Sequence, residues 1–147
     1  MKSIFLADDD ADDREFFEDA LNDMAIATEL TTARDGAELM NTLDEVVTAP
    51  PPPHVIFLDL NMPNKNGFEC IAEIRNSPKL KGIPIAIFST TESESAVNET
   101  FLLGANCYIR KPTTHKLLKK AIETVLNLDF WENPQQLPKK KFVLKIA

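Results

Sequence analysis

Residues 55–63 read Val55-Ile56-Phe57-Leu58-Asp59-Leu60-Asn61-Met62-Pro63, and Gly67 follows. Apart from one carboxylate, residues 55–60 are wholly apolar. Such a run predicts a strand buried on both faces, the pattern of a parallel sheet. A carboxylate at the end of a buried strand is costly unless something partners it. Three more apolar runs end in the same manner. Residues 3–7 lead into Asp8-Asp9-Asp10, residues 85–88 into Ser89-Thr90-Thr91, and residues 107–109 into Arg110-Lys111-Pro112. In an open α/β sheet the carboxyl ends of the strands face one crevice, where ligands bind. Acids, a hydroxyl and a lysine are therefore expected to meet there.

Working outward, five strand-like runs alternate with five helical patterns, which predicts βαβ units and a parallel sheet. Phe17, Ala20, Leu21 and Met24 recur at helical spacing after the first run. Residues 29–33 give a short second strand. Asp35-Gly36 opens a helix lined by Leu39, Leu43 and Val46, and residues 48–54, with four consecutive prolines, form a stiff connector of polyproline character. Residues 61–67 form a loop. Residues 68–76 form a helix with Ile71 and Ile74 inward, and residues 78–84 connect it to the fourth strand. Ser93 is expected to cap a helix that runs to Leu103, with Val97 and Phe101 inward, and Gly104 to end it. Residues 113–128 form the last full helix, with Leu117, Leu118, Ala121, Ile122 and Val125 toward the core. The fold expected is thus α/β, a doubly wound (βα)5 five-stranded parallel sheet over residues 1–128. Residues 129–147 form a C-terminal extension, in which residues 142–146 have strand composition and serve as an extra edge strand, an interface element or a frayed tail.

The chain has 147 residues, 44% hydrophobic and 27% charged, with a net charge of −7. Its length suits one domain with a core of its own. The acids crowd the first thirty residues and the lysines the end. Overall acidity argues against nucleic acid as the main partner, since phosphate contacts need a basic face. No apolar run approaches the ~20 residues of a membrane span, and residues 1–3 enter a strand directly, without a signal-peptide pattern. Cys70 and Cys107 have no redox or metal spacing and read as reduced core thiols. A cytoplasmic location is the expectation from these features.

Carboxylates that share a crevice repel one another and coexist most easily around Mg²⁺, a hard cation that takes oxygen ligands. A carboxylate beside such a metal can be a nucleophile that forms an acyl phosphate. The metal and a lysine would then neutralise the phosphoryl oxygens. Each residue alone reads more plainly: residues 8–13 as an acidic helix start, Asp59 as a cap or turn residue, Tyr108 as a structural tyrosine, and Lys111 as a surface charge. Their joint placement at strand ends favours the chemical reading. His54 and His115 lack partner spacing and are assigned to structure or solvent.

In these residues the chain resembles a response-regulator receiver domain of two-component signalling. The matching pieces are Asp8-Asp9, Asp59 with Asn61, Pro63 and Gly67, Ser89-Thr90, Tyr108 and Lys111-Pro112. The longer connector before His54, residues 76–84 and Ser89-Thr90-Thr91 are similar to the phytochrome-associated group of stand-alone receivers. The resemblance implies a flavodoxin-like receiver fold. It implies that Asp59 is the phosphoacceptor. Asp9 would bind Mg²⁺ directly, Asp8 would orient a metal-bound water, and Asp59 and the Asn61 carbonyl would complete the protein ligands. Lys111 would contact the phosphoryl group, and Ser89 would be the switch hydroxyl. Tyr108 would turn inward once Ser89 moves, and the Lys111–Pro112 bond would be cis. The triple acid leaves a second register open, with the metal pair one residue later; the end of the apolar strand at Ala7 favours Asp8-Asp9.

The function implied is a single-domain response regulator. It would accept a phosphoryl group from a sensor histidine kinase or a histidine phosphotransfer protein, and signal to a downstream protein through its fourth helix, fifth strand and fifth helix. The charged tail leaves room for a homodimer. Two alternatives belong to other classes. An aspartyl-phosphate phosphohydrolase would need a second Asp where Asn61 stands. A phosphorylation-independent interaction module would have no use for the acids and the lysine.

Overall fold

The computed structural model describes residues 1–48, 53–91, 93–128, 130 and 136–146, with the side chains of residues 46–48 excepted. The prolines at 50–52, the inward place of Val46 and the helix break expected at 131–134 lie outside the described residues. Five strands form one sheet: β1 (Lys2–Ala7), β2 (Thr28–Ala33), β3 (Val55–Leu58), β4 (Ile85–Ser89) and β5 (Cys107–Arg110). All neighbours are parallel, in the order β2-β1-β3-β4-β5. Five helices link and follow them: α1 (Ala11–Asn22), α2 (Gly36–Thr48), α3 (Gly67–Asn76), α4 (Glu94–Leu103) and α5 (His115–Leu128). This is the flavodoxin-like receiver fold expected from the alternation of apolar runs.

The strand period of two divides the core cleanly. Ile4, Leu6, Val55, Phe57, Ala86, Phe88, Cys107 and Ile109 face α1 and α5, meeting Phe17, Leu21, Leu118, Ile122 and Val125. Phe5, Ile56, Leu58, Ile85, Ile87 and Tyr108 face the other way, toward Leu39, Leu43, Ile71, Ile74 and Ala96. Phe17, Phe57 and Phe88 form an edge-to-face cluster with centroids 5.0, 5.7 and 6.1 Å apart, a geometry favoured by the ring quadrupoles. The β3 and β4 strands are buried throughout, as their continuous apolar sequence requires. The polar β2 strand lies at one edge, where Glu29 meets solvent.

Several boundaries differ from expectation for identifiable reasons. The β3 strand ends at Leu58 rather than at residue 60, because the N–H of Gly67 turns back to the Leu60 carbonyl at 3.0 Å. The α3 helix starts at Gly67, capped by Asn66 in a reciprocal capping box with Glu69. Ser93 caps α4, and Gly104 closes it in the left-handed region at φ 104. Met24 lies beyond the end of α1 and is only partly buried. Leu117, expected in the core, is half-buried and borders a groove with Val143, Leu144 and Ile146.

The C-terminal segment forms one turn of helix, α6 (Lys139–Phe142), followed by a single bridge between Val143 and Tyr108. Pro138 precedes that turn at a φ of −54, a value the ring imposes and a helix start accepts. The segment lies along the outer edge of β5. The Gln136 side chain donates to the carbonyls of Phe101 and Ala105 at 2.7 and 2.6 Å. Leu137 N–H reaches the Asn106 carbonyl at 3.3 Å, and Leu144 N–H reaches that of Tyr108 at 2.9 Å. Phe142 is fully buried against Phe101, with centroids 5.2 Å apart, and against Tyr108.

Candidate functional site

Three of the charged residues expected in the crevice are the first residues beyond a strand. Asp8 follows β1, Asp59 follows β3 and Lys111 follows β5. Each is fixed by one further ladder bond from its own N–H: Asp8 to the Ala33 carbonyl at 3.0 Å, Asp59 to that of Ala7 at 3.0 Å, and Lys111 to that of Ser89 at 2.9 Å. The sheet itself thus aims these side chains. From β1 the chain crosses to β2 on one side, and from β2 it returns past β1 to β3 on the other, so the acids lie at the topological switch point of the sheet.

The loop after Asp59 is held as firmly. Asp59 Oδ1 accepts from the N–H of Leu60 at 2.8 Å. Asn64 sits in the left-handed region at φ 64 and donates to Asp35 Oδ2 at 2.7 Å, a conformation that Asn tolerates better than most residues. Gly67 passes so close that a Cβ there would lie 2.3 Å from the Asp59 carbonyl oxygen and 2.9 Å from Leu60 Cα. Only glycine permits this approach of α3 to the Asp59 backbone.

Lys111 stands at the centre of the charges. Its ammonium lies 2.8 Å from Asp8 Oδ2, 2.9 Å from Asp13 Oδ2 and 3.2 Å from Asp59 Oδ2. Asp8 is completely buried, and Asp59 is 6% exposed. Burial pushes the Asp8 carboxyl above its ordinary value, against the opposing pull of Lys111. Burial by itself would lower the Lys111 ammonium, but its close contacts with Asp8 and Asp13, with the charge of Asp59, raise it above its ordinary value. Lys111 is therefore a fixed positive charge at every physiological pH.

Asp8, Asp9 and Asp59 each present a carboxylate oxygen within 4.8 Å of the others. Asp8 Oδ2 is buried and has no hydrogen-bond partner among the described residues; it lies 2.8 Å from the Lys111 ammonium as an ion pair. An orphaned buried carboxylate oxygen beside two further acids fits a divalent hard cation. Asp10 does not belong to this group. It is the N-cap of α1, accepting from the N–H groups of Asp12 and Asp13 at 2.9 and 3.1 Å. The geometry thus selects the Asp8-Asp9 register.

Ser89 is fully buried and its Oγ accepts from the N–H of Thr91 at 3.2 Å. Thr91 in turn binds Asn61, whose exposed side-chain amide donates to Thr91 Oγ1 at 3.2 Å. The Tyr108 ring is inward, 1% exposed, and burial raises its phenol above the ordinary value. Tyr108 also donates its hydroxyl to the Thr91 carbonyl, so Ser89, Asn61 and Tyr108 are joined through one residue, Thr91. His115 lies away from the acids, paired with Asp23 at 2.7 Å. Cys70 and Cys107 are buried thiols pushed up to about 12, chiefly by burial, and so are unreactive.

Two contributors were not singled out from the sequence. Asp13 is one of many acids in the first thirty residues, and nothing in the pattern distinguishes it. Arg75 reads as an ordinary basic residue in the last turn of a helix. Its guanidinium instead donates to the carbonyls of Gly104, Lys81 and Ile83 and to Asn106 Oδ1, at 2.7–2.9 Å. Asn106 Oδ1 also accepts from Ile85 N–H, so this clamp holds the entries to β4 and β5.

Comparison with known proteins agrees with this geometry. Residues 4–123 match the response regulator receiver domain family. Response regulator Rcp1 of Synechocystis sp. is 34% identical over 139 residues, covering 93% of each chain. The crystal structure of the phosphorylated cyanobacterial phytochrome response regulator RcpA superimposes with a TM-score of 0.77 at 34% identity, over 93% of this chain and 98% of that one. The Mn²⁺-bound form of Rcp1 gives 0.76 at 34% identity, over 94% and 99%. Among the described residues, no helix is long and apolar enough to cross a membrane.

Proposed function

Because the chain belongs to the response regulator receiver domain family, we propose that it is a single-domain response regulator whose Asp59 accepts a phosphoryl group from a phosphohistidine. The donor is a sensor histidine kinase or a histidine phosphotransfer protein. The observation that carries this reading is the placement of Lys111 Nζ 3.2 Å from Asp59 Oδ2, beside the three-acid cluster. The phosphorylated form of the relative RcpA supports the same reading.

The chemistry asked of these residues is modest. An Asp59 carboxylate oxygen attacks phosphorus, the P–N bond of the donor breaks, and the imidazole departs with the electron pair and takes up a proton. Asp8, Asp9, Asp59 and the Asn61 carbonyl would hold Mg²⁺, which supplies charge neutralisation to the phosphoryl oxygens. The Mn²⁺-bound relative supports a divalent ion there. Lys111 offers its ammonium to a second oxygen, and the Ser89 hydroxyl donates to a third. Asp59 carries Lys111 on one side and the N–H of Leu60 on the other, so the nucleophile needs no rearrangement of its own. The phosphohydrolase alternative is disfavoured, because the amide of Asn61 cannot serve as a general acid.

Occupation of Asp59 shifts a two-state equilibrium through Ser89, Thr91 and Tyr108 to the α4–β5–α5 side, where a downstream protein reads it. The test is intact-protein mass after incubation with Mg²⁺ and acetyl phosphate, with Asp59→Asn alongside. One phosphoryl increment is expected, dependent on Mg²⁺ and absent from the variant. An increment that persists in Asp59→Asn removes Asp59 as acceptor; no increment under fast trapping removes the phosphorylation reading.

A further inference from the structure

Of the three acids at Lys111, one has no part in the scheme above. Asp13 lies in the first turn of α1, not at a strand end, and its oxygen is 2.9 Å from the ammonium, closer than that of Asp59. It stands outside the three-acid cluster that can close on a cation. Its backbone is placed by the Asp10 cap, which accepts its N–H at 3.1 Å. The Lys111 side chain is 10% exposed and that of Asp13 40% exposed. Asp13 therefore holds the ammonium from the solvent side, while Asp8 and Asp59 hold it from within. The same residue borders an open cleft of about 470 Å³ with Phe16, Thr90, Lys111 and Pro112. That cleft opens onto Lys111.

We propose that Asp13 is a positioning residue that acts through Lys111: it tethers the ammonium in the unphosphorylated protein and competes with the incoming phosphoryl group for it. An ammonium has three N–H donors; one goes to Asp13 and one to Asp59, while Asp8 Oδ2 is an ion-pair partner at 2.8 Å. A phosphoryl group on Asp59 adds oxygens of higher charge beside the same nitrogen. To engage them fully, Lys111 gives up its most exposed partner, and that partner is Asp13. Until then, the carboxylate of Asp13 occupies a donor proton that the phosphoryl group needs, which slows phosphoryl transfer. Neutralising Asp13 is therefore expected to speed Asp59 phosphorylation, whereas loss of a merely structural helix residue would slow it or leave it unchanged. This inference rests on the receiver reading for its kinetic half, while the tether itself does not.

Two measurements on the full chain separate the halves. The first is NMR of the lysine ammonium groups in the metal-free protein, which needs no phosphorylation. In the wild type the Lys111 ammonium is expected to give a protected signal, shifted and broadened by exchange in Asp13→Asn and restored in Asp13→Glu. An unchanged signal in Asp13→Asn overturns the tether, and with it the proposal. The second is the rate of phosphorylation by acetyl phosphate at saturating Mg²⁺, in which an Asp59 oxygen attacks phosphorus, the P–O bond breaks and acetate leaves. Asp13→Asn is expected to react roughly two- to fivefold faster, the range set by a half-exposed ion pair, and Asp13→Glu at the wild-type rate. In a Lys111→Met background the Asp13→Asn increment should vanish. An equal increment in that background, or a rate unchanged or reduced in Asp13→Asn, overturns competition through Lys111. A wild type that gains no phosphoryl group defeats the receiver reading and the competition together, with the tether still decided by the ammonium signal.

Discussion

The hydroxyl of Tyr108 donates a 2.7 Å hydrogen bond to the carbonyl oxygen of Thr91. This bond fastens the inward ring of β5 to the loop that follows β4. The N–H of Thr91 is committed to Ser89, and its hydroxyl accepts from Asn61. One residue thus reports on the acceptor loop, the buried hydroxyl and the aromatic ring together. A displacement of Ser89 cannot leave Tyr108 undisturbed.

Tyr108→Phe removes that bond while keeping the ring. A loss of about 1 kcal/mol is expected, the usual net worth of a buried hydrogen bond. Urea unfolding at neutral pH measures it. The far-ultraviolet circular dichroism of the variant should stay native, since the ring packs against Phe142 with or without its hydroxyl.

Gly67→Ala places a methyl group 2.3 Å from the Asp59 carbonyl oxygen. Either α3 or the acceptor loop must move. A destabilisation of about 2–3 kcal/mol is expected, typical of overpacking against backbone. Mg²⁺-dependent phosphorylation should fall with it, beyond what the lost folded fraction explains. Thermal melting and intact mass, taken on one preparation, separate the two losses.

Arg75→Met retains the apolar stem and removes the guanidinium that binds Gly104, Lys81, Ile83 and Asn106. Several part-buried oxygens lose their donor at once. The expected cost is about 3 kcal/mol, measured by urea midpoint. The acid cluster lies at the opposite ends of β4 and β5, so Mg²⁺ affinity should be unaffected.

The buried carboxyl of Asp8 gives the metal-free protein a pH signature. Its folded pKa is raised above the ordinary 3.8, so the folded state holds this proton more tightly than the unfolded chain does. The stabilisation is complete below the ordinary value and is lost as pH rises through the folded value. Melting temperature in chelator should therefore fall across that window, and the fall should flatten in Asp8→Asn. Adding Mg²⁺ at neutral pH should raise the wild-type melting temperature by mass action and do far less for the variant.

The strand ends were legible because a doubly buried strand announces itself by continuous apolar residues, and any polar residue that terminates it must be placed in the crevice. Asp8, Asp59, Ser89 and Lys111 could all be located this way. Asp13 was not legible, because its partner is distant in sequence and it sits among many similar acids. Arg75 was hidden for a related reason: its four acceptors are oxygens, three of them backbone carbonyls, and backbone carbonyls leave no trace in composition. The tail was misleading in a different manner. Residues 142–146 have the composition of a strand, yet only Val143 bridges to β5, since Pro138 starts a helical turn that carries Phe142 into the core first.

The segment at 136–146 lies across the outer edge of β5, with Phe142 inside and Lys139, Lys140, Lys141 and Val143 outside. It makes the skin of that side of the molecule, while the acids and Lys111 belong to strands beneath. Under the proposed function, address and chemistry are then written in different parts of the chain. A change of a few exposed residues in this short stretch would re-aim the protein at another listener while leaving the acids around Asp59 in place. The reverse also holds: the tempo of the signal can be retuned at the crevice while the surface that a listener meets stays the same.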